Sequence, residues 1–474
     1  MNFLQRLAAR IFFGTHSVFE GANQSPRRSN VPGSGPRDTT LDLTPGVRSE
    51  LVRRSRYLVK NSGFLQEIIS SMALYAIGDG ILPQPSGKDA RWNQQALAYF
   101  NRWAHRAEIT GRFDLTTCLY LACMALETDG EIFVLKTEED GEPKIQLIET
   151  HRIGSSGAGE ESDGTTFATA TAEDSLIDGI RLSPLGRPLG YRLLLDDGSH
   201  RELAARDVLH VFAPMSISQV RGYPTIQHSI NHMLDILELL ALEKHAVKDN
   251  ADIARVLKTS RYEVDDRDFQ LSSPPQPSGS DPGFLQTILG GKLVKIQPDE
   301  AIESFQSNRP SPTFQGFLDY LQRDSALGLL PYEFASDSSK IGGAGVRLIV
   351  AKADRRFSRR QTLLIDRMLR PIWRFVIGHA ITAGKLPPAE DWTEVDFVTP
   401  RRVTVDAGRE SQQNREDVKA GLKTLSDHFA ELGCDINHEL ETRAREMALI
   451  RDIAARYQLN PQDLCQYYIP PTAP

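Results

Sequence analysis

One stretch, about two thirds of the way along the chain, limits what it can fold into. From residue 346 to about 383, apolar side chains recur at Ile349, Ala353, Phe357, Leu364, Met368 and Ile372, mostly four apart. That is the repeat of one helix face. Between them stand Arg347, Lys352, Arg355, Arg356, Arg359, Arg360, Arg367, Arg370 and Arg374. A long helix of this kind needs neighbours on its apolar side and an anionic or solvated surface on the other. Pro371 predicts a kink within it, and Pro387-Pro388 ends the segment. Upstream lies a loop of small and polar residues, 335–345, which follows the apolar turn Leu329-Leu330-Pro331-Tyr332-Glu333-Phe334.

The chain has 474 residues, of which 40% are hydrophobic and 25% charged. That suits a folded protein of two or three domains or one elaborate body. A net charge of -7 argues against a chain that grips DNA along its whole surface. If DNA is involved, the basic residues act locally, or the DNA is contacted without being held. No apolar run reaches the length of a membrane span. Residues 1–13 set Phe3, Leu4, Leu7, Ala8, Ile11 and Phe12 around Arg6 and Arg10, which predicts a short amphipathic docking helix and not a secretory signal. Cys118, Cys123, Cys434 and Cys465 lack metal-ligand spacing, so reduced thiols are expected.

Taken in order, residues 51–77 and 92–103 read as helices, and Asp114 as the N-cap of a third. A strand at 131–136 turns at Glu139-Asp140-Gly141 and returns over 144–148, and 154–171 is a loop. Strands follow at 176–182, 189–194 and 207–212, so the first half is α+β: helices, then an antiparallel sheet. A helix is expected from 225 to about 248, broken at Asp249-Asn250, with strands at 253–257 and 292–296 around the exposed loop 272–279. Another helix runs over 312–327, a strand over 392–398, and two more helices over 410–431 and 439–457.

Candidate chemistry is sparse. His228 and His232 lie four apart above Asp235 and Glu238, a spacing that can hold a metal. The intervening residues lack the glutamate of the zinc-protease motif, and two solvated or hydrogen-bonded histidines are the simpler expectation. Asp265, Asp266 and Asp268 form an acidic cluster beside a Pro/Ser-rich loop, better read as a solvated turn. Gly342-Gly343-Ala344-Gly345 precedes a helix but lacks the Lys-Ser/Thr of a phosphate-binding loop, so flexibility is the better reason for these glycines. No serine elbow or cysteine–histidine signature appears.

Several short stretches stand out, one after another along the chain. They are Arg53-Arg54-Ser55-Arg56 with Asn61, then Gly78-Asp79-Gly80-Ile81, Trp92 and Phe100-Asn101-Arg102-Trp103, and then Thr128-Asp129-Gly130-Glu131-Ile132-Phe133. Asp207-Val208-Leu209-His210-Val211-Phe212 precedes Gln219-Val220-Arg221-Gly222-Tyr223-Pro224, and Leu327-Gly328-Leu329-Leu330-Pro331-Tyr332-Glu333 comes later. The last are Gly421-Leu422-Lys423-Thr424 and Glu431-Leu432-Gly433. Together, over roughly residues 41–455, they resemble the portal proteins of tailed bacteriophages, the lambda-type family. The chain departs from that pattern in one extra leucine of the Leu-Gly-Leu-Leu-Pro turn and in Gly342-Gly343-Ala344.

The resemblance implies an α+β, portal-type fold with an α/β wing, a two-helix stem, a small α/β clip, a long kinked helix and a helical crown. The implied segments are an N-terminal arm at 1–40, a wing at 41–223, a first stem helix at 224–250 and a clip at 251–309. A second stem helix at 310–328 and a tunnel loop at 329–345 come next, then the long helix and wing return at 346–405, and the crown and tail at 406–474. It implies a structural, non-enzymatic chain without cofactor or metal, assembled as a homo-oligomeric ring, usually a dodecamer, at one capsid vertex of the virion. Its implied partners are the terminase large subunit, head-completion or tail connector proteins, the major capsid protein and double-stranded DNA in transit, with assembly in the host cytoplasm and no membrane. Ser338, Ser339, Lys340, Gly342, Gly343 and Gly345 would line the DNA channel, while Arg347, Lys352, Arg355, Arg356, Arg359 and Arg360 would meet DNA or neighbouring subunits. Two other readings are a metal-dependent nuclease using His228 and His232, and a non-phage adaptor built from similar parts.

Overall fold

The computed structural model describes residues 38–154, 174–252, 255–258, 293–296, 314–336 and 341–464, the last stretch without 404, 406, 433 and 435. The expected amphipathic segment 1–13, Asp265, Asp266, Asp268 and Cys465 lie outside the described residues.

The apolar pattern over 51–77 belongs to two helices and not one. Helix α1 (Pro45–Asn61) stops where Ser62 becomes extended (φ -114°, ψ 110°), and the Ser62 hydroxyl accepts from Leu65 N–H to start α2 (Gly63–Ile77). A serine that caps the second helix competes with continuing the first. Asp89 caps α3 (Ala90–Ala104), and Asp114 accepts from Thr117 N–H at 2.7 Å to begin α4 (Leu115–Thr128).

Strands β2 (Glu131–Glu139) and β3 (Glu142–Ile148) form the expected hairpin, with both turn residues, Asp140 and Gly141, at positive φ. The other edge of β2 pairs with β8 (Val208–Phe212). Ile132 and Val134 face the helices, while Phe133 faces a second, smaller core against a four-stranded sheet. Both faces of β2 are therefore covered, which explains its unbroken apolar run.

In that second sheet the strand expected over 176–182 is folded back on itself. Asp178 (φ 44°) and Gly179 (φ 78°) turn β4 (Ser175–Ile177) into β5 (Ile180–Leu182), followed by β6 (Pro188–Leu194) and β7 (His200–Ala204). The Asp-Gly pair dictates this hairpin. An unanticipated strand, β1 (Leu82–Pro85), pairs antiparallel with β11 (Val395–Val398), which is shorter than expected.

After a 3₁₀ turn at Gln227–Ser229, α5 (Ile230–Asp252) runs through Asp249-Asn250 without the expected break. Polar residues late in a helix cost only a few tenths of a kcal/mol each, on the order of their propensity difference. Strands β9 (Arg255–Lys258) and β10 (Leu293–Ile296) pair in parallel. Helix α6 (Phe314–Ala326) lies on α5. His232, near the start of α5, meets Asp324, near the end of α6, so the two run antiparallel.

Helix α7 (Gly343–Leu364) begins at the glycines, and α8 (Arg370–Thr382) continues its course. Where a kink is expected at Pro371, the chain has a π-helical segment, Ile365–Leu369, in which Arg370 N–H bonds back to Ile365 C=O. Widening the helix just before a proline accommodates its missing N–H and its ring. The helix expected over 410–431 divides into α9 (Ala407–Lys419) and α10 (Leu425–Glu431) around Gly421, at φ 71°. Helix α11 (Ile436–Tyr457) follows.

Candidate functional site between α1, α4, α5 and α7

Two sequence motifs that lie far apart in the chain interlock between α4 and α5. Gly130 (φ 90°) is held so close to the second motif that a Cβ there would lie 2.1 Å from the Tyr223 carbonyl. A Cβ on Gly222 would lie 2.3 Å from the Gly130 carbonyl oxygen. Only glycine at both positions lets the two backbones touch.

Around this contact sits a buried charge cluster. Glu131, fully buried, accepts from Arg221 at 2.6 and 2.9 Å, from His210 Nε2 at 2.9 Å, from the Gly222 N–H at 2.7 Å and from the Thr150 hydroxyl. Its acceptor positions are thereby filled. Arg221 also donates to the carbonyls of Ile153 (3.0 Å), Thr150 (3.2 Å) and Asp178. Arg48 from α1 forks onto the Asp178 carboxylate and donates to Thr150 Oγ1 at 3.0 Å. Two guanidinium groups and two carboxylates balance one another in a buried site.

Burial works against an ionised Glu131, but the charge of Arg221 and the hydrogen bond from His210 overcome it, holding its pKa well below the ordinary 4.5. Burial lowers the pKa of His210 below 6.5, opposed only in part by Glu131. The imidazole stacks on Phe133 at 4.3 Å between ring centres.

A second buried carboxylate, Glu127, stands four residues before Glu131. Its Oε2 accepts from Thr225 Oγ1 at 2.7 Å, and its backbone carbonyl accepts from Thr225 N–H at 3.1 Å. Its Oε1 lies 2.5 Å from Arg360 Nη2 of α7, an ion pair and not an aligned hydrogen bond. Between them lies Asp129, which receives Arg56 of α1 at 2.8 and 2.5 Å. The segment 127–131 therefore ties together α1, both sheets, the entry to α5, and α7.

The Leu-Gly-Leu-Leu-Pro turn sits beside this junction. Leu329 and Leu330 are both buried, so the extra leucine is absorbed into the core. Tyr332 rests on Phe64 (5.7 Å), and Phe334 meets Tyr75 (5.1 Å) and Phe357 (5.6 Å), anchoring the turn to α2 and α7. Arg323 pairs with Glu333 at 2.5 Å.

A family model described as "Phage portal protein, lambda family" matches residues 28–361, more than half of the chain and all of this junction. The chain belongs to the lambda family of phage portal proteins. No curated protein matches it. Among solved structures it is similar to a chain from the "Neck of native GTA particle computed with C12 symmetry", at 13% identity and a TM-score of 0.47, covering 82% of this chain and 94% of that one. It is also similar to a chain from the "Virion of native gene transfer agent (GTA) particle", at 13% identity and 0.45, covering 86% and 96%.

Of the portal residues singled out from sequence, Ser338, Ser339 and Lys340 lie outside the described residues. Gly342 and Gly343 are exposed at the head of α7, and Gly345 is half-buried. Arg347 lines a cavity of about 420 Å³ between α7 and the helices α9 and α10, together with Asp354, Arg402, Asp417 and His428. Lys352, Arg355 and Arg359 are exposed. Arg356 donates to the Leu327 carbonyl at 3.3 Å, and Arg360 is the half-buried partner of the buried Glu127. His228 Nε2 meets the Asp324 carbonyl at 3.1 Å and His232 Nδ1 meets its carboxylate at 3.0 Å, so both reach across to α6 and away from the exposed Asp235 and Glu238. Among the described residues no cluster of three or more metal-type ligands occurs, and no helix is long and apolar enough to cross a membrane.

Arg48, Asp178, Glu127 and the meeting of Glu131 with Arg221 were not foreseen from the sequence. The available signal was charge in apolar company: Glu131 heads Ile-Phe-Val-Leu, and His210 interrupts Val-Leu-His-Val-Phe. A charged or titratable group at an inward-facing strand position requires a buried partner.

Proposed function

We propose that the chain forms a ring around a DNA channel at one vertex of a phage-type capsid, through which the genome is packaged and later ejected. The observation that carries this reading is membership of the portal family over residues 28–361. The junction supports it mechanically. Antiparallel α5 and α6 act as the stem, fixed to the wing by Glu131 and Arg221, and the long helix is fixed to the same strap by Arg360 and Glu127. Load from passing DNA would then travel through ion pairs that are wholly or largely shielded from solvent.

In this reading residues 251–309 dock the terminase large subunit and then the head-completion or connector proteins. The loop through Ser338, Ser339, Lys340, Gly342, Gly343 and Gly345 faces the DNA. The surroundings of the ring are the major capsid protein and, during assembly, the host cytoplasm. The chain acts as a conduit without catalysis, and the net charge of -7 suits a channel through which DNA slides. Electron microscopy of the purified chain tests this: rings with a central hole are expected. A monomer that cleaves DNA with added divalent metal would overturn it.

A further inference from the structure

Among the described residues, two exposed helix faces have no partner, and they match. On α7, Leu348, Lys352, Arg355 and Arg359 follow one another at steps of four, three and four residues, which places them in one column. All are exposed, Leu348 by 58%. On α5, Asn231, Asp235, Glu238 and Leu242 follow at the same steps and are likewise exposed, Leu242 by 54%. Among the described residues, Lys352, Arg355, Arg359, Asp235 and Glu238 take part in no hydrogen bond or ion pair. Their neighbours Arg356 and Arg360, by contrast, are used inside the subunit.

Each column is about 16 Å long at the helical rise. Laid antiparallel, Leu348 meets Leu242, Lys352 meets Glu238, Arg355 meets Asp235 and Arg359 meets Asn231. Laid parallel, Arg359 falls on Leu242 and Leu348 on Asn231, which loses the apolar match. The antiparallel arrangement also opposes the two helix dipoles. Among the described residues of a subunit, α5 packs on α1 and α6, whereas α7 packs on α2 and α4, and both columns are left uncovered.

We propose that the cationic column of α7 in one subunit seats antiparallel on the acidic column of α5 in the next subunit around the ring. This rests on the portal reading, since a contact between two different faces of the same chain generates a ring when its rotation closes. DNA is the competing occupant of the α7 column. Phosphates would satisfy its cations but would give Leu348 no apolar partner and leave the acidic column of α5 unexplained.

The test uses the full chain in three forms: Lys352→Glu with Arg355→Glu, Asp235→Lys with Glu238→Lys, and all four together. Sedimentation velocity and native mass spectrometry read the ring fraction, and circular dichroism checks that each variant is folded. Each two-residue reversal is expected to cut the ring fraction about tenfold or more at a fixed concentration, because like charges then face each other. The fourfold exchange is expected to restore rings. Reversals that leave rings unchanged, or an exchange that fails to restore them, overturn the contact. So does an α7 reversal that keeps rings but weakens retention of double-stranded DNA, which gives the column to DNA. If the unaltered chain forms no ring of any size, the portal reading falls and this contact with it. If the unaltered chain forms rings and only the variants disagree, this contact alone falls.

Discussion

Glu131 is a carboxylate at the head of an apolar strand, fully buried and still ionised, because Arg221, His210, Thr150 and the Gly222 N–H all converge on it. Glu131→Gln keeps the shape but leaves two buried guanidinium groups with one carboxylate. Breaking a buried pair in this way costs about 3–5 kcal/mol, to be measured as a lower midpoint of urea unfolding at neutral pH. The pH dependence follows from the two depressed values. With a folded pKa below 4.5, Glu131 contributes stability that is present above pH 4.5 and is lost as pH falls toward its folded value. His210 is kept neutral by burial, so below pH 6.5 the unfolded chain takes up a proton that the folded chain refuses, and stability falls there too. His210→Gln retains a donor to Glu131 without the titration. It is expected to flatten the loss of stability between pH 6.5 and 4.5, while the loss below 4.5 remains. An unchanged slope in that window would assign it to other groups. Sequence alone marked Glu131, His210 and Arg221 as members of short motifs. That they share one site depends on strand register and on a glycine contact, neither of which a local pattern encodes.

At the scale of elements, α7 uses its basic residues in two distinct ways. Arg360 turns inward to Glu127, whereas Arg367, just beyond in the π segment, is exposed. Arg360→Gln is expected to cost about 3–5 kcal/mol because Glu127 stays buried with only Thr225 to satisfy it. Arg367→Gln is expected to lie within about 0.5 kcal/mol of the original chain. Urea unfolding of the two variants and of Glu127→Gln/Arg360→Gln checks this. Partial recovery in the double variant identifies the pair as the cause, and equal effects at 360 and 367 would remove the distinction. The helical repeat showed that an arginine-rich helix exists, since Ala353, Phe357, Leu364, Met368 and Ile372 are all buried. It did not separate Arg356 and Arg360 from Arg355 and Arg359, because one residue of rotation decides between a carbonyl, a buried carboxylate and solvent. The errors in element boundaries have local causes. Ser62 caps instead of continuing, Asp178-Gly179 turns a strand, and a π segment stands where a proline kink was expected.

Across the whole molecule, the order and spacing of motifs along the chain pointed to the family, because together they are specific where each motif alone is short and weak. The pairing of Leu82–Pro85 with Val395–Val398 was not legible, since nothing local to either strand announces a partner so distant in the chain. The anchors on either side of the glycine-rich segment bear on its role. Upstream, Tyr332 rests on Phe64, and Phe334 meets Tyr75 and Phe357; downstream, Gln361 of α7 donates to the Ala76 carbonyl at 3.0 Å, and Arg360 holds Glu127. Both anchors, and the exposed column that begins at Leu348, lie outside residues 338–344. Removing those seven residues, so that Asp337 joins Gly345, is therefore expected to leave the subunit folded and ring formation intact. The amount of nuclease-protected DNA per particle is expected to fall, because the segment proposed to face the DNA is missing. Micrographs of the purified variant read the first outcome, and DNA extracted from particles assembled with it reads the second. Rings lost together with DNA would make the segment part of the ring's structure, and rings with undiminished DNA would free it from any part in handling the genome.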